Sequence, residues 1–306
     1  MRISIICIAF ISLLFSCNRK NPNEHLYEVG MKEINGTNIY YKVIGSSEPI
    51  LIIHGGPGLS HDYFLPALDI LKKQYKLIFY DQRGCGKSDL TVDSESISLD
   101  NFVRDIDEIR LAFGIEKINV MAHSWGGILA MKYAISYPNN VKSLILINSV
   151  GASSAINALS NAELINRFTP EDSVLRSQIF NSEEFKKRSP SSIESLMKLN
   201  FKHQFYNQTY LDSLNLSINE NYLTTSQLLQ NLGNDLASFD FHSELKNIKC
   251  PTLLIYGSHD PLTKVAGTRL NELISNSKIE ILDECGHFPF IEKPTRFKEM
   301  VTQFIQ

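Results

Sequence analysis

The chain has 306 residues, of which 43% are hydrophobic and 21% are charged. These proportions are those of a globular protein and exclude a disordered, collagen-like or coiled-coil chain. The 30 basic and 33 acidic residues leave a formal net charge of -3, which gives a nucleic acid no electrostatic footprint to bind. A length of this order fits two domains or one large α/β domain.

The amino terminus has the pattern of a targeting segment. One cation, Arg2, precedes an apolar run over residues 3–15 that contains two serines and no charged residue. This run is shorter than the roughly 18 apolar residues that a membrane-spanning helix needs, and it is typical of a signal peptide.

The sequence Leu-Phe-Ser-Cys at 14–17 overlaps the end of this apolar run. It resembles the lipobox of bacterial lipoproteins, and the resemblance implies that Cys17 becomes lipidated. We therefore predict a signal peptide over residues 1–16 and a lipidated tether over 17–26, which would anchor the exported protein to a membrane. A secretory signal cut near Ser16 is the alternative.

The next segment begins a pattern of strands and helices. Residues 27–44 alternate in the manner of strands and contain Asn35-Gly36, a hairpin signal. Short apolar runs typical of buried strands follow at 50–53, 77–80, 118–121, 144–147, 252–256 and 279–282. Amphipathic stretches at 99–113, 128–137 and 294–305 lie between or after them. Buried strands that alternate with helices predict a mostly parallel sheet covered on both faces.

This alternation stops over residues 151–242, which are polar, helical in pattern and rich in aromatic side chains. A helical insertion after one strand most simply forms a cap over the strand ends, where open sheets bind ligands. We therefore expect a core built from residues 27–150 and 243–306, with a helical cap over 151–242.

A candidate nucleophile follows the predicted strand at 118–121. The sequence Ala122-His-Ser124-Trp-Gly126 runs directly into a helical pattern, and strand, tight turn and helix are the setting of a G-x-S-x-G nucleophile elbow. Ala122 replaces the first glycine, which is a mild departure because alanine is also small. The pattern predicts that Ser124 is the nucleophile.

A serine hydroxyl needs a base, and the base needs an acid to orient it. Asp260 follows the strand at 252–256, and His287 follows the strand at 279–282. The order Ser124, Asp260, His287 is that of α/β-hydrolases, so we predict this fold, with a mostly parallel sheet flanked by helices and an inserted helical cap. Asp283 and Glu284 are the competing acids.

The oxyanion formed when serine attacks a carbonyl needs backbone N–H donors. The residue after the nucleophile, Trp125, supplies one, and an early glycine-rich loop supplies the other. That loop is His54-Gly-Gly-Pro-Gly58, whose glycines allow close approach to a ligand. We assign the second donor to Gly56, with Gly55 as the alternative.

Neither a metal nor a cofactor is predicted. The sequence contains no CxxC pair, and the eight histidines show no HExxH spacing. Gly84 to Ser88 ends in GKS like a phosphate-binding P-loop, but the first glycine of that motif would fall on Asp81, so the motif fails. The role of Arg83 in this stretch is not evident from the sequence.

These motifs together resemble those of the proline iminopeptidases and the related tricorn-interacting aminopeptidase. The resemblance rests on HGGPG at 54–58, DQRGCGKS at 81–88, the Ser124 elbow and the loops of Asp260 and His287. It runs from about residue 40 to the carboxyl terminus and is sparse in the cap. It implies release of an amino-terminal residue, often proline, from short peptides.

The resemblance also implies a cap glutamate that holds the substrate's α-amino group, and Asn219-Glu220 matches the step that carries it. We therefore propose Glu220 as the amine anchor. In the tricorn-interacting relatives a second glutamate directly follows the catalytic aspartate. This chain has Pro261 at that position. The other cap acids that would serve instead are Glu163, Glu171 and Glu194.

The sequence as a whole predicts a cofactor-independent serine aminopeptidase that takes short peptides, with a lipid anchor and no nucleic-acid partner. An esterase or lactonase with the same triad, acting on a small ester, is one alternative. A catalytically silent, lipid-tethered binding module is the other.

Overall fold

The computed structural model describes residues 27–305, with the side chains of residues 263 and 264 left out of the description. The predicted signal peptide, the tether and Cys17 lie outside these residues. Eight strands form one sheet: β1 (Tyr27–Ile34), β2 (Thr37–Ile44), β3 (Glu48–Ile53), β4 (Tyr75–Tyr80), β5 (Ile118–His123), β6 (Val141–Ile147), β7 (Thr252–Gly257) and β8 (Ser277–Leu282). Their order in the sheet is β1-β2-β4-β3-β5-β6-β7-β8.

The first two strands, β1 at the edge of the sheet and β2 beside it, form the predicted hairpin. Tyr27 pairs with Ile44, and β2 runs antiparallel to both of its neighbours. The turn residues Asn35 and Gly36 have φ angles of 47° and 75°. Positive φ at both positions is what a two-residue hairpin turn requires, and Asn-Gly is the sequence that adopts it most readily. The remaining strands, from β4 through β8 in spatial order, are parallel.

The helices divide between the core and the insertion. The core carries α1 (Leu99–Ala112), α2 (Gly126–Ser136), α9 (Thr268–Leu273), α10 (Pro289–Glu292) and α11 (Pro294–Phe304). The insertion carries α3 (Ser154–Ile165), α4 (Pro170–Asn181), α5 (Glu183–Lys186), α6 (Pro190–Phe201), α7 (Tyr222–Leu228) and α8 (Gly233–Ala237).

Side chains from both faces of the central strands are buried. In β5, Val120 and Ala122 belong to the apolar cluster that includes α1 and α2, whereas Met121 belongs to the cluster that includes Phe297 of α11. Each fully buried large apolar side chain contributes about 2 kcal/mol relative to an exposed one. A sheet covered on both faces therefore explains why its strands are continuous apolar runs rather than alternating ones, and the predicted fold class is confirmed.

The insertion leaves the core after β6 and returns before β7. Its two ends pair with each other: Ser154 N donates to Phe239 O at 2.9 Å, and Phe241 N donates to Ala152 O at 3.0 Å. Because the insertion departs from the end of a parallel strand, it stands at the carboxyl edge of the sheet. Between residues 27 and 305, no helix combines the length and the apolar character that crossing a membrane requires.

Candidate active site

The candidate nucleophile elbow has the strained geometry that the sequence predicts. Ser124 lies between β5 and α2 with φ at 54°, a left-handed conformation that side chains other than glycine seldom adopt. Its N–H donates to Ile147 O at 3.0 Å, and its carbonyl accepts from Gly127 N at 2.9 Å. The residues on either side are buried, whereas Ser124 is partly exposed. The turn thus presents the hydroxyl to the carboxyl edge of the sheet.

Close packing explains the small residues around Ser124. A methyl group on Gly126 would lie 2.7 Å from the carbonyl oxygens of both Ile53 and His54, so no larger residue fits without movement of the backbone. Ala122, which replaces the usual glycine, is fully buried in the apolar core. Its methyl group is therefore accommodated by packing.

The structure pairs Asp260 with His287. Asp260 follows β7 and His287 follows β8, and His287 Nδ1 lies 2.6 Å from Asp260 Oδ2, with both side chains almost fully buried. An ionised carboxylate only accepts hydrogen bonds, so Nδ1 carries the proton and Nε2 of the neutral ring is left as the basic nitrogen. The competing acids do not share this position, because Asp283 is exposed and Glu284 faces Lys293 at 3.7 Å.

Ser124 and His287 lie against a common neighbour. The ring of His123, the residue before Ser124, has its centroid 4.7 Å from that of His287. Within residues 27–305, Ser124 Oγ makes no direct hydrogen bond to the imidazole. In free enzymes such catalytic contacts are often long and shorten when substrate binds.

A further residue, Asn148, orients Asp260 and was missed by the sequence analysis. Its Nδ2 donates to Asp260 Oδ2 and, at 3.3 Å, to Gly286 O. The amide of Leu262 donates to the other carboxylate oxygen at 3.0 Å. Asn148 directly follows β6, which is the same signal of a polar residue at a strand end that selected Asp260.

In the candidate oxyanion loop, the amides of Gly55 and Gly56 differ in whether they already donate a hydrogen bond. The Gly55 amide donates to Tyr63 Oη at 2.5 Å, so it is already engaged. Among the described residues, the amides of Gly56 and Trp125 donate to no protein acceptor. This arrangement favours Gly56 over Gly55 as the second donor. The amino terminus of α2, which follows Trp125, adds a positive potential at the same place.

A buried hydrogen-bonded chain connects this loop to the histidine loop. His123 Nε2 lies 2.8 Å from His287 O, and Tyr63 Oη lies 2.9 Å from His123 Nδ1. Because a carbonyl only accepts, Nε2 of His123 carries the proton, and Tyr63 donates to Nδ1 while it accepts from Gly55. Burial lowers the pKa of His123 well below its usual value, which keeps the ring neutral.

The DQRGCGKS stretch builds the wall behind the elbow. Gln82 Nε2 donates to His54 O at 2.7 Å, and Gln82 Oε1 accepts from Trp125 Nε1 at 3.0 Å. Gln82 N also donates to His54 Nε2 at 3.0 Å. Burial lowers the pKa of His54 to about 4, so the ring is neutral and can accept. Gln82 therefore holds the HGGPG loop and the elbow together.

Arg83 has a structural partner in α1. Its guanidinium donates to both oxygens of Asp105, at 2.8 and 2.5 Å, and these side chains are only 2% exposed. It also donates to Asn35 O at 3.2 Å, which ties the hairpin turn to the core. Two charges buried this deeply are stable only when paired in this way.

The cap acids differ in their surroundings. Glu163 pairs with Arg167 at 2.7 Å and Glu194 pairs with Lys198 at 3.1 Å. Glu171 is exposed in the first turn of α4.

Glu220 is exposed and lies two residues before α7. This part of the cap adjoins the HGGPG loop, since a methyl group on Gly58 would lie 3.6 Å from the Tyr222 ring and 3.5 Å from Thr225. Glu220 is thus next to α7, the cap helix that contacts the candidate oxyanion loop at Gly58. Among the described residues, no group of three or more acidic, histidine or cysteine side chains is arranged to hold a metal ion.

Comparison with known proteins agrees with this geometry. The sequence model of the alpha/beta hydrolase fold matches residues 48–294. A proline iminopeptidase of Heyndrickxia coagulans is 30% identical over 92% of this chain and 99% of its own, and one of Saccharolobus solfataricus is 29% identical over 91% and 92%.

The fold is also that of a solved proline iminopeptidase from Mycobacterium smegmatis. The two structures have a TM-score of 0.71 and 22% sequence identity over 90% of this chain and 97% of the other. At 22% identity this structural similarity supports the fold alone, whereas the relatives found by sequence show the family. The chain belongs to the α/β-hydrolases, in the family of the proline iminopeptidases, and is a hydrolase of that type.

Proposed function

We propose that the protein is a serine aminopeptidase that releases an amino-terminal proline or small apolar residue from short peptides. In this mechanism His287 Nε2 takes the proton of Ser124 Oγ while Oγ attacks the carbonyl carbon. The amides of Gly56 and Trp125 stabilise the resulting oxyanion. The imidazolium then gives its proton to the leaving amine, and an acyl-enzyme remains that water hydrolyses by the same steps.

One observation carries this proposal: the buried Asp260–His287 pair at 2.6 Å, next to an elbow that holds Ser124 at φ 54°. Asp260 fixes the tautomer of His287 and stabilises the imidazolium that forms. The identity with proteins named proline iminopeptidase supports a peptide substrate over others.

Recognition of the free amine is assigned to Glu220. An α-amino group has a pKa near 8 and is largely cationic at neutral pH, so a carboxylate at the site entrance favours its binding. Glu220 precedes the α7 segment that adjoins Gly58, which is the reason to choose it over the paired acids of the cap.

An esterase or lactonase is the second candidate, and Pro261 is the observation in its favour. The residue after the candidate acid is not a carboxylate, so one expected contact to a substrate amine is missing. An enzyme without that contact should discriminate less strongly between substrates with a free amine and substrates without one.

A panel of aminoacyl naphthylamides and acyl esters separates these two activities. The aminopeptidase should turn over prolyl and alanyl naphthylamides, and blocking their amino group should abolish cleavage. Ester turnover without any amide turnover would reject the peptidase and favour the esterase. The Ser124→Ala variant is the control for both substrate classes. A folded wild-type protein that fails to react with a fluorophosphonate would instead favour a silent binding module.

We also propose that the protein is exported and anchored to a membrane through a lipid on Cys17. The support is the apolar run over residues 3–15 and the lipobox-like sequence at 14–17. Metabolic labelling with a palmitate analogue should mark the wild-type protein and not a Cys17→Ala variant. Label retained by that variant would refute the assignment.

A further inference from the structure

One cap segment lies directly against the loop of the candidate base. We call residues 203–207, between α6 and the next cap turn, the cap strap. Its Gln204 O accepts from His287 N at 2.7 Å. The ring of Phe205, fully buried, stacks on Phe288 with 4.7 Å between centroids and 17° between planes. The strap therefore contacts the backbone of His287 and the side chain of the next residue.

Glu292, at the end of α10, joins the cap strap to this loop a second time. Its Oε1 accepts from Gly286 N at 2.7 Å. Its Oε2 accepts from Tyr206 N at 3.0 Å and from Asn207 N at 3.1 Å. One carboxylate thus receives three backbone donors, one from the residue before His287 and two from the cap.

The environment of Glu292 is unusual for a purely structural carboxylate. The residue is 6% exposed, and among the described residues no cation forms an ion pair with it. Burial raises the pKa of its carboxyl, and the three N–H donors oppose that rise. A buried acid without an ion pair is costly, and the three backbone donors are what offset that cost here.

The number of acceptor oxygens on Glu292 indicates what this residue does. Two carboxylate oxygens can satisfy amides that approach from two different segments, whereas a glutamine offers a single acceptor oxygen and turns an NH₂ group towards the remaining donor. We propose that Glu292 is a positioning residue that couples the cap to the catalytic base, by locking Gly286 and the cap strap in the arrangement that aims His287 at Ser124. This inference rests on the proposed function of His287.

The test measures the rate at which a fluorophosphonate modifies Ser124, as a function of pH, in three proteins. These are the wild type, Glu292→Gln and the matched control Glu284→Gln. The control makes the same substitution in the same loop, at a side chain that is 67% exposed. We expect Glu292→Gln to react about tenfold more slowly or worse and to shift the pH midpoint of the reaction, because a misaligned base loses transition-state stabilisation. The control should behave like the wild type.

The outcomes distinguish the two claims. If the wild type does not label at Ser124, the proposed function fails. If the wild type labels and a folded Glu292→Gln variant matches it in rate and pH midpoint, the coupling is wrong, even where its melting temperature is lower. Should Glu292→Gln not fold, Phe205→Leu loosens the cap strap without leaving a buried charge unpaired. An unchanged rate and pH midpoint in that variant would overturn the proposal.

Discussion

The edge of the core that carries the candidate active site and the helical cap are built in different ways. At the core edge, the elbow, the HGGPG loop and the histidine loop are joined by buried hydrogen bonds through Gln82, Tyr63 and His123. In the cap, α4 exposes most of its residues, and its one buried residue is Asp172, which bonds to Lys202 and His203. We therefore expect changes at the core edge to affect the chemistry, and changes in the cap to affect the choice of substrate.

The largest effect should come from the core. Replacing Asp260 with Asn removes the charge that orients His287 and should lower kcat by about 10⁴-fold on esters and amides alike. Thermal stability should also fall, because Asn keeps an oxygen for the Leu262 amide but turns an NH₂ group towards the Asn148 donor. Steady-state kinetics on both substrate classes checks this. A loss below tenfold would mean that another group supports the base.

A smaller loss is expected from Tyr63→Phe. This change leaves the Gly55 amide and His123 Nδ1 without a partner and frees the oxyanion loop to move. We expect kcat/KM to fall about 10- to 100-fold, which is at most the fall expected when one oxyanion donor is removed. Tyr210→Phe, at an exposed cap tyrosine, is the control. Unchanged kinetics in Tyr63→Phe would show that the buried chain is not needed to align the site.

In the cap, Glu220→Gln should affect only some substrates. Losing one charged contact to the α-amino group should raise KM about tenfold for substrates with a free amine, since hydrogen bonds to charged groups contribute roughly 1.5–3 kcal/mol. Esters with a blocked amine should be unaffected. Glu194→Gln, whose acid pairs with Lys198, is the matched control. An equal loss on free and blocked substrates would argue against an anchoring role.

The smallest effect on chemistry should follow from Asp172→Asn, which acts on stability. Burial alone would raise the pKa of Asp172, but hydrogen bonds from Lys202, the Thr169 amide and His203 hold it well below its usual range. A depressed carboxyl pKa contributes stability above the unfolded value near 4, and that contribution is lost as the pH falls below it.

Breaking this buried cluster should cost about 3 kcal/mol at neutral pH. Thermal melts between pH 3 and 7 should show a weaker acid dependence in Asp172→Asn than in the wild type. Ester turnover at low temperature should fall slightly, because Asp172 holds His203 at the start of the cap strap. The same acid dependence in both proteins would mean that other carboxyl groups govern acid unfolding.

Much of the core followed from local patterns in the sequence. Asn35-Gly36 predicted the hairpin, and the apolar runs predicted six further strands, all of which are present. Five of them lie inside the sheet, whereas β8 was predicted as a buried strand and is a partly exposed edge strand. The order of Ser124, Asp260 and His287 along the chain predicted the α/β-hydrolase fold. Asn148 was overlooked because an asparagine after a strand is common, and its hydrogen bond to Asp260 exists only once β6 and β7 are neighbours.

The cap was less predictable, since surface helices held by ion pairs leave little trace in apolar periodicity. The partners of Glu163 and Glu194 are four residues away on the same helix, yet no spacing rule says which acids are engaged and which face a substrate. Likewise, nothing in the sequence indicates that Glu292 reaches amides some 85 residues earlier in the chain.

The sequence alone determined the class of fold, the turn that carries the candidate nucleophile and the succession of candidate acid and base, because these depend on local residue types and on strand ends. Tertiary structure decided which acid meets His287, which glycine amide is left to donate, and how the cap reaches the base. Those choices depend on distances between segments far apart in the chain, which only the packed sheet and its cap bring together.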